Sequence, residues 1–222
     1  PQIQWIKNKF YNLNLIIKIL IASILINFAI IFLFKSYSLI SNFIIISALF
    51  LIIFSLRDLF NLFNTKKIDP SRIVSHLAFG VLVLFIGLNH NFSLEKDFNL
   101  KIGEKKEFEN YSVKFNNLQL EEFENYKAVI GEFEINNSQN DLSKTLYPEI
   151  RIYQSPSTIT YEASIRTGLL KDYYITMSNI DRSDYYNIKF QKKPFMIWIW
   201  ISVIFISFGG FLRLFKNAKK NY

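Results

Sequence analysis

The stretch KKPFMIWIWISVIFISFGGFLRLFK, Lys192–Lys216, decides how this chain folds. Two cations and a proline open onto an uncharged run from Phe195 to Leu212, and Arg213 closes it. A run of that length approaches the ~20 helical residues that cross a bilayer core. Pro194 suits the first turn of a helix, where its missing N–H is no loss. Trp198 and Trp200 fall a turn or less inside, at the depth where indole rings favour the headgroup interface. They point about 200° apart around a helix, so one of them is expected to face a neighbouring helix or a ligand.

Three further apolar segments precede this one, at about 13–34, 39–56 and 73–88. The shorter ones draw on flanking residues that snorkel. The chain therefore reads as an α-helical integral membrane protein with about four transmembrane helices. Its charge supports that reading. The net charge is +8, yet residues 89–193 hold 14 Lys/Arg against 16 Asp/Glu, and the rest holds 12 Lys/Arg against Asp58 and Asp69 alone. The basic excess flanks the spans, which is a topology signal and not a nucleic-acid patch. Lys7 and Lys9 precede the first span, Arg57, Lys66, Lys67 and Arg72 separate the second from the third, and Arg213, Lys216, Lys219 and Lys220 follow the fourth. These flanks and both termini are expected in the cytoplasm of a bacterial inner-membrane protein. The turn Lys35–Ser38 and residues 89–193 then face the periplasm. Three domains follow: 1–88 with three spans, 89–193 as a periplasmic domain, and 194–222 as the last span with a basic cytoplasmic tail. The chain starts at Pro1, with no signal peptide before the first apolar run, and reads as the C-terminal piece of a longer protein or as a processed or trimmed one.

Residues 89–193 alternate with period two in Val113–Phe115, Gly131–Ile135, Glu149–Tyr153, Tyr173–Met177 and Tyr186–Phe190, with turn residues such as NNSQND, Asn136–Asp141, between. Five or six strands in a small antiparallel barrel or sandwich are expected. The absence of cysteine excludes disulfides, thiolate catalysis and covalent haem attachment to this chain.

The chain has two histidines. His76, in SRIVSHLAFGVLVLFIG, lies about one turn inside the third span, and an ionisable side chain there points to function. Its spacing leaves open a haem-iron ligand or an interhelical hydrogen bond. A second ligand would come from outside this chain. His90 reads as a solvated turn residue where the span ends. In the outside domain, Glu149, Arg151 and Tyr153 share one strand face, either as a salt bridge or as a binding site for a propionate or peptide.

The runs LYPEIRIY (Leu146–Tyr153), TYEASI (Thr160–Ile165), GLLKDYY (Gly168–Tyr174), KPFMIWIW (Lys193–Trp200) and Gly209–Gly210 together resemble the C-terminal part of the CcmF family, the haem lyase subunits of cytochrome c maturation. SRIVSHLAFG upstream resembles that family's AHLG span, and PQIQW its GP-x-x-W segment. The resemblance implies that His76 is one axial ligand of a transmembrane haem b, whose second ligand lies outside this chain. That haem keeps incoming haem reduced for thioether attachment to apocytochrome c. It further implies that no catalytic residue lies in this part, which is an incomplete lyase alone. Implied partners are the upstream half of the lyase, the haem chaperone CcmE, apocytochrome c, thioredoxin-like maturation subunits and membrane lipid. Trp198 and Trp200 are placed as interface anchors or haem-cavity residues, and Glu149, Arg151, Tyr153 and Glu162 as partner-docking residues. Ile150 and Lys171 depart from the family's Lys and Arg. The alternative reading is a non-catalytic membrane scaffold that holds no haem.

Overall fold

A computed structural model of the chain describes residues 13–34, 38–65, 69–138, 142–179 and 183–218, and they form two compact units. Lys7, Lys9, PQIQW, Lys35–Tyr37, Lys66, Lys67, Gln139–Asp141, Lys219 and Lys220, together with the side chain of Lys216, lie outside the described residues.

The first unit holds α1 (Leu13–Phe34), α2 (Leu39–Thr65), α3 (Pro70–Phe92) and α4 (Met196–Ala218). All four are long and apolar enough to cross a membrane. Their large side chains point outward, as Phe28, Phe32, Phe43 and Ile204 do, where acyl chains would cover them. Helices in lipid gain little from burying more apolar surface, so close packing relies on small and polar residues. A Cβ on Gly80 would stand 2.8 Å from Ile52 Cγ1, and one on Gly87 2.9 Å from Ile45 Cγ1, so both glycines let α3 lie against α2. On the α4 side, Ser71 Oγ donates to the Gly209 carbonyl at 2.6 Å.

The start of α3 is secured from three directions. Asp69 caps it by accepting the Ser71 N–H, and Pro70 occupies the first helical position. Asp69 also takes the Arg213 guanidinium of α4, and Asp58 of α2 takes Arg72 at 3.4 Å. The two carboxylates of the membrane part thus both hold arginines beside this helix end.

The second unit, Ser93–Pro194, is a sandwich of ten antiparallel strands. One sheet has the order β1 (Leu94–Leu100), β10 (Tyr186–Pro194), β9 (Lys171–Asn179), β8 (Ser164–Arg166). The other has the order β2 (Lys105–Phe108), β3 (Tyr111–Glu122), β4 (Tyr126–Asn137), β6 (Glu149–Gln154), β7 (Ser157–Glu162), with β5 (Leu142–Leu146) also on β4. Val113, Phe115, Phe133, Ile135, Ile175, Met177, Ile188 and Phe190 fill the space between them. Each expected alternating run lies inside a strand, but the five or six expected strands are ten. The unforeseen ones include β1, β2 and β7, whose residues are mostly exposed and charged or polar, so no apolar period marks them. Asn136 and Asn137, expected in a turn, finish β4.

The helix start at Pro194 is corrected. Pro194 ends β10 opposite Lys171, where a strand terminus tolerates its missing N–H. Phe195 then turns the chain with φ 61, a left-handed conformation that a bulky residue adopts only when neighbours impose it. Its carbonyl accepts the N–H groups of Trp198 and Ile199, and its ring meets Phe85 at 5.4 Å.

Outside the spans, Lys189 and, more weakly, Gln191 hold the Glu95 carboxyl below its ordinary 4.5, and Ser143 and Asn136 do the same for Glu134. A lowered folded value stabilises the fold above the unfolded one, and that contribution is lost as pH falls through it. The melting midpoint of the sandwich is therefore expected to be flat near neutrality and to drop on acidification below about pH 4.5. Glu134→Gln should make the drop shallower in near-ultraviolet circular dichroism melts, by a small amount because the group is exposed.

Candidate functional site

His76 stands one turn inside α3, directly after the Arg72–Asp58 pair in helical register. It lies about 40° around the helix from Gly80, which packs on α2. It is partly exposed, and no described residue hydrogen-bonds its imidazole. An accessible ring nitrogen without a partner, in an apolar span, fits a metal-ligand role better than an interhelical hydrogen bond. The capped and ion-paired start of α3 fixes its height along the helix.

His90 is helical and exposed, which corrects the turn assignment. Its Nδ1 lies 2.7 Å from Ser41 Oγ of α2. It shares the His76 flank of α3, about 21 Å further along. His90, the other histidine of the sequence, is too far along α3 to share one metal ion with His76.

The tryptophans part as helix geometry requires. Trp198 turns toward α3 and stacks on Phe85 with centroids 5.8 Å apart. It lines an apolar groove of about 400 Å³ with Val74, Leu77, Val81, Phe205 and Phe208. Trp200 is 64% exposed and faces away. The groove's centre lies roughly 150° around α3 from His76, so α3 separates Trp198 from the His76 flank. The structure does not bring the tryptophans and His76 together.

In the sandwich the four docking candidates do meet. Glu149 and Arg151 share the outer face of β6, with Arg151 Nε donating to Glu149 at 2.8 Å. The guanidinium lies over the Tyr126 ring at 5.0 Å, and Tyr126 meets Tyr153 at 5.3 Å. Glu162 of β7 is directly opposite Glu149 and accepts the Thr160 hydroxyl. Two carboxylates facing each other leave net negative charge beside one neutralised by arginine. Ile150, where the resemblance expects Lys, is buried in the core, which accounts for an aliphatic residue there.

Comparison with known proteins follows this geometry. Residues 91–194 match the family model described as the CcmF C-terminal beta-sandwich. The cytochrome c-type biogenesis protein CcmF of Haemophilus influenzae is 29% identical over 158 residues, covering 69% of this chain and 24% of that protein. The CcmF of Pseudomonas aeruginosa is 27% identical over 139 residues, covering 63% and 21%. The solved structure of the cytochrome c haem lyase CcmF superposes on 96% of this chain with TM-score 0.68, at 15% identity and over 36% of its own length.

Over residues 91–194 the chain carries the CcmF C-terminal beta-sandwich.

It corresponds to the C-terminal part and spans about a quarter of the length of these curated relatives. Similarity to CcmF and the four apolar helices make it a multi-pass membrane protein. The arrangement of helices around α3 and the β-sandwich is that of the CcmF fold. The contacts of α3 with its neighbours separate the His76 flank from the Trp198 groove. Gly80 and Gly87 mark the α2 contact, and Ser71, Ser75 and Gly209 the α4 contact.

Proposed function

We propose that this chain is the C-terminal part of a cytochrome c haem lyase and that His76 supplies one axial ligand to a haem b held within the membrane. The observation that carries the reading is the imidazole one turn inside α3, which no described residue hydrogen-bonds and which does not line the Trp198 groove. The CcmF C-terminal beta-sandwich and the likeness to the solved cytochrome c haem lyase CcmF support it. When bound, such a haem would supply electron transfer, keeping the substrate haem ferrous for thioether attachment. This chain's own contribution is to orient and hold one ligand. The ion pairs of Asp58 with Arg72 and Asp69 with Arg213 set its height, and the apolar flank excludes water. The second ligand would come from the upstream half of the lyase. The sandwich, placed in the periplasm, would present Glu149, Arg151, Tyr153 and Glu162 to CcmE, apocytochrome c or thioredoxin-like subunits.

The test is an oxidised and reduced visible spectrum of the chain purified with its upstream half. His76→Ala is expected to abolish or shift the six-coordinate b-type α band, while Trp198→Phe leaves it in place. An unchanged band in His76→Ala overturns the assignment. Absence of haem from the folded wild-type complex favours the scaffold reading.

A further inference from the structure

Four lysines of the sandwich have carboxylate partners: Lys101 with Asp184, Lys105 with Glu107, Lys127 with Glu122 and Lys189 with Glu95. Three others are arranged differently. Lys144 lies over the Tyr173 ring at 4.7 Å, Lys171 over the same ring at 5.8 Å, and Lys192 over Tyr111 at 5.8 Å. The two rings are 5.9 Å apart. Among the described residues none of the three ammonium groups has a carboxylate within 4 Å, and Glu109 at the β2–β3 turn acts on Tyr111 from a distance.

The fold produces this convergence. Lys171, Tyr173 and Ile175 share the inward face of β9, and Lys192 pairs with Tyr173 across to β10. Lys144 pairs with Ile135, so it also follows the inward alternation. Three cations therefore stand at the open end of the core, held only by ring faces. Cation–π contacts hold each ammonium weakly, while the like charges repel. Burial and the neighbouring Tyr173 phenol push the Tyr111 phenol above its ordinary value, which keeps it a hydrogen-bond donor. Cations plus phenol donors, with no ion-paired carboxylate among the described residues, are the complement of a phosphate oxyanion.

The connectivity selects the source. Lys192 precedes Met196, the first residue of α4, by four positions, which is at most about 14 Å of extended chain. Lys171 pairs with Pro194, closer still to the span. A phosphate within that reach of a transmembrane helix belongs to a lipid.

We propose that Lys144, Lys171 and Lys192, around Tyr111 and Tyr173, seat the phosphate headgroup of an anionic phospholipid. The seat does not depend on haem ligation, so the two proposals can fail separately. The experiment uses the full chain in detergent, delipidated and then titrated with dioctanoylphosphatidylglycerol, dioctanoylphosphatidylcholine or inorganic phosphate, with bound lipid read by native mass spectrometry. Phosphatidylglycerol is expected to be retained over phosphatidylcholine, and the combined variant K144Q/K171Q/K192Q to lose that preference, by roughly fivefold for each lysine. The variant K101Q/K105Q/K127Q removes the same charge from paired sites and should keep it. Equal retention of the two lipids by the wild type overturns the seat, as does an unchanged preference in K144Q/K171Q/K192Q. Inorganic phosphate competing as well as the anionic lipid overturns the lipid assignment.

Discussion

Gly209→Leu is expected to push α3 and α4 apart, whereas Gly210→Leu, one residue on, is expected to leave their packing intact. A Cβ on Gly209 would stand 2.9 Å from the Ser75 backbone nitrogen and 3.2 Å from its Cα. Those atoms belong to a helix backbone and cannot turn aside as a side chain can. A Cβ on Gly210 meets nothing within 4 Å. The clash also lengthens the hydrogen bond from Ser71 to the Gly209 carbonyl. Overpacking costs about 1–3 kcal/mol, and the lost interhelical hydrogen bond adds about 0.6 kcal/mol in a membrane. Trp198 stacks on Phe85 across this interface, so its emission reports the separation. Detergent melts followed by tryptophan fluorescence should show a lowered midpoint and a shifted folded baseline for Gly209→Leu alone. Equal behaviour of the two variants would remove the close-approach account of the glycine pair.

Phe133→Ala should remove most of the stability of the sandwich. Phe133 is fully buried, stacks on Phe115 at 4.4 Å and abuts Gly131, whose missing side chain makes room for it and for Met177. Truncating a buried Phe costs about 3–5 kcal/mol, against roughly 5–15 kcal/mol for a whole domain. Leu120, on the neighbouring strand β3, is 77% exposed. Leu120→Ala should therefore stay within about 0.5 kcal/mol of wild type. Denaturant unfolding of the full chain, followed in the near ultraviolet, separates the two. A Phe133→Ala midpoint as high as that of Leu120→Ala would mean that the stacked pair is not the centre of the core.

Much of this architecture is legible along the chain because its signals are local. An uncharged run of about 20 residues has one solution in a bilayer, and period-two alternation has one in a half-buried strand. The Asp69–Pro70 start of α3, three residues before the span expected from about 73, rests on a cap that apolar counting does not register. What stayed hidden is instructive. Edge strands β1 and β2 carry charge on residues that no core covers, so they leave no period. Pro194 looked like a helix start because its φ suits a helix and a strand end equally, and only the pairing with Lys171 shows which applies. His90 looked like a loop residue because the Asn-rich sequence around it hides one more turn of α3 and the Ser41 contact.

The sequence alone therefore determined the four spans, the alternating core strands and the resemblance to CcmF, since each rests on residues near one another along the chain. Only the tertiary structure decided that His76 and Trp198 lie on different flanks of α3, that Glu149 and Glu162 face each other, and that Lys144, Lys171 and Lys192 converge on two tyrosines. Those facts depend on helix rotation and strand register, which are set by long-range packing of glycines, ion pairs and core side chains. No neighbouring residue in the chain encodes them.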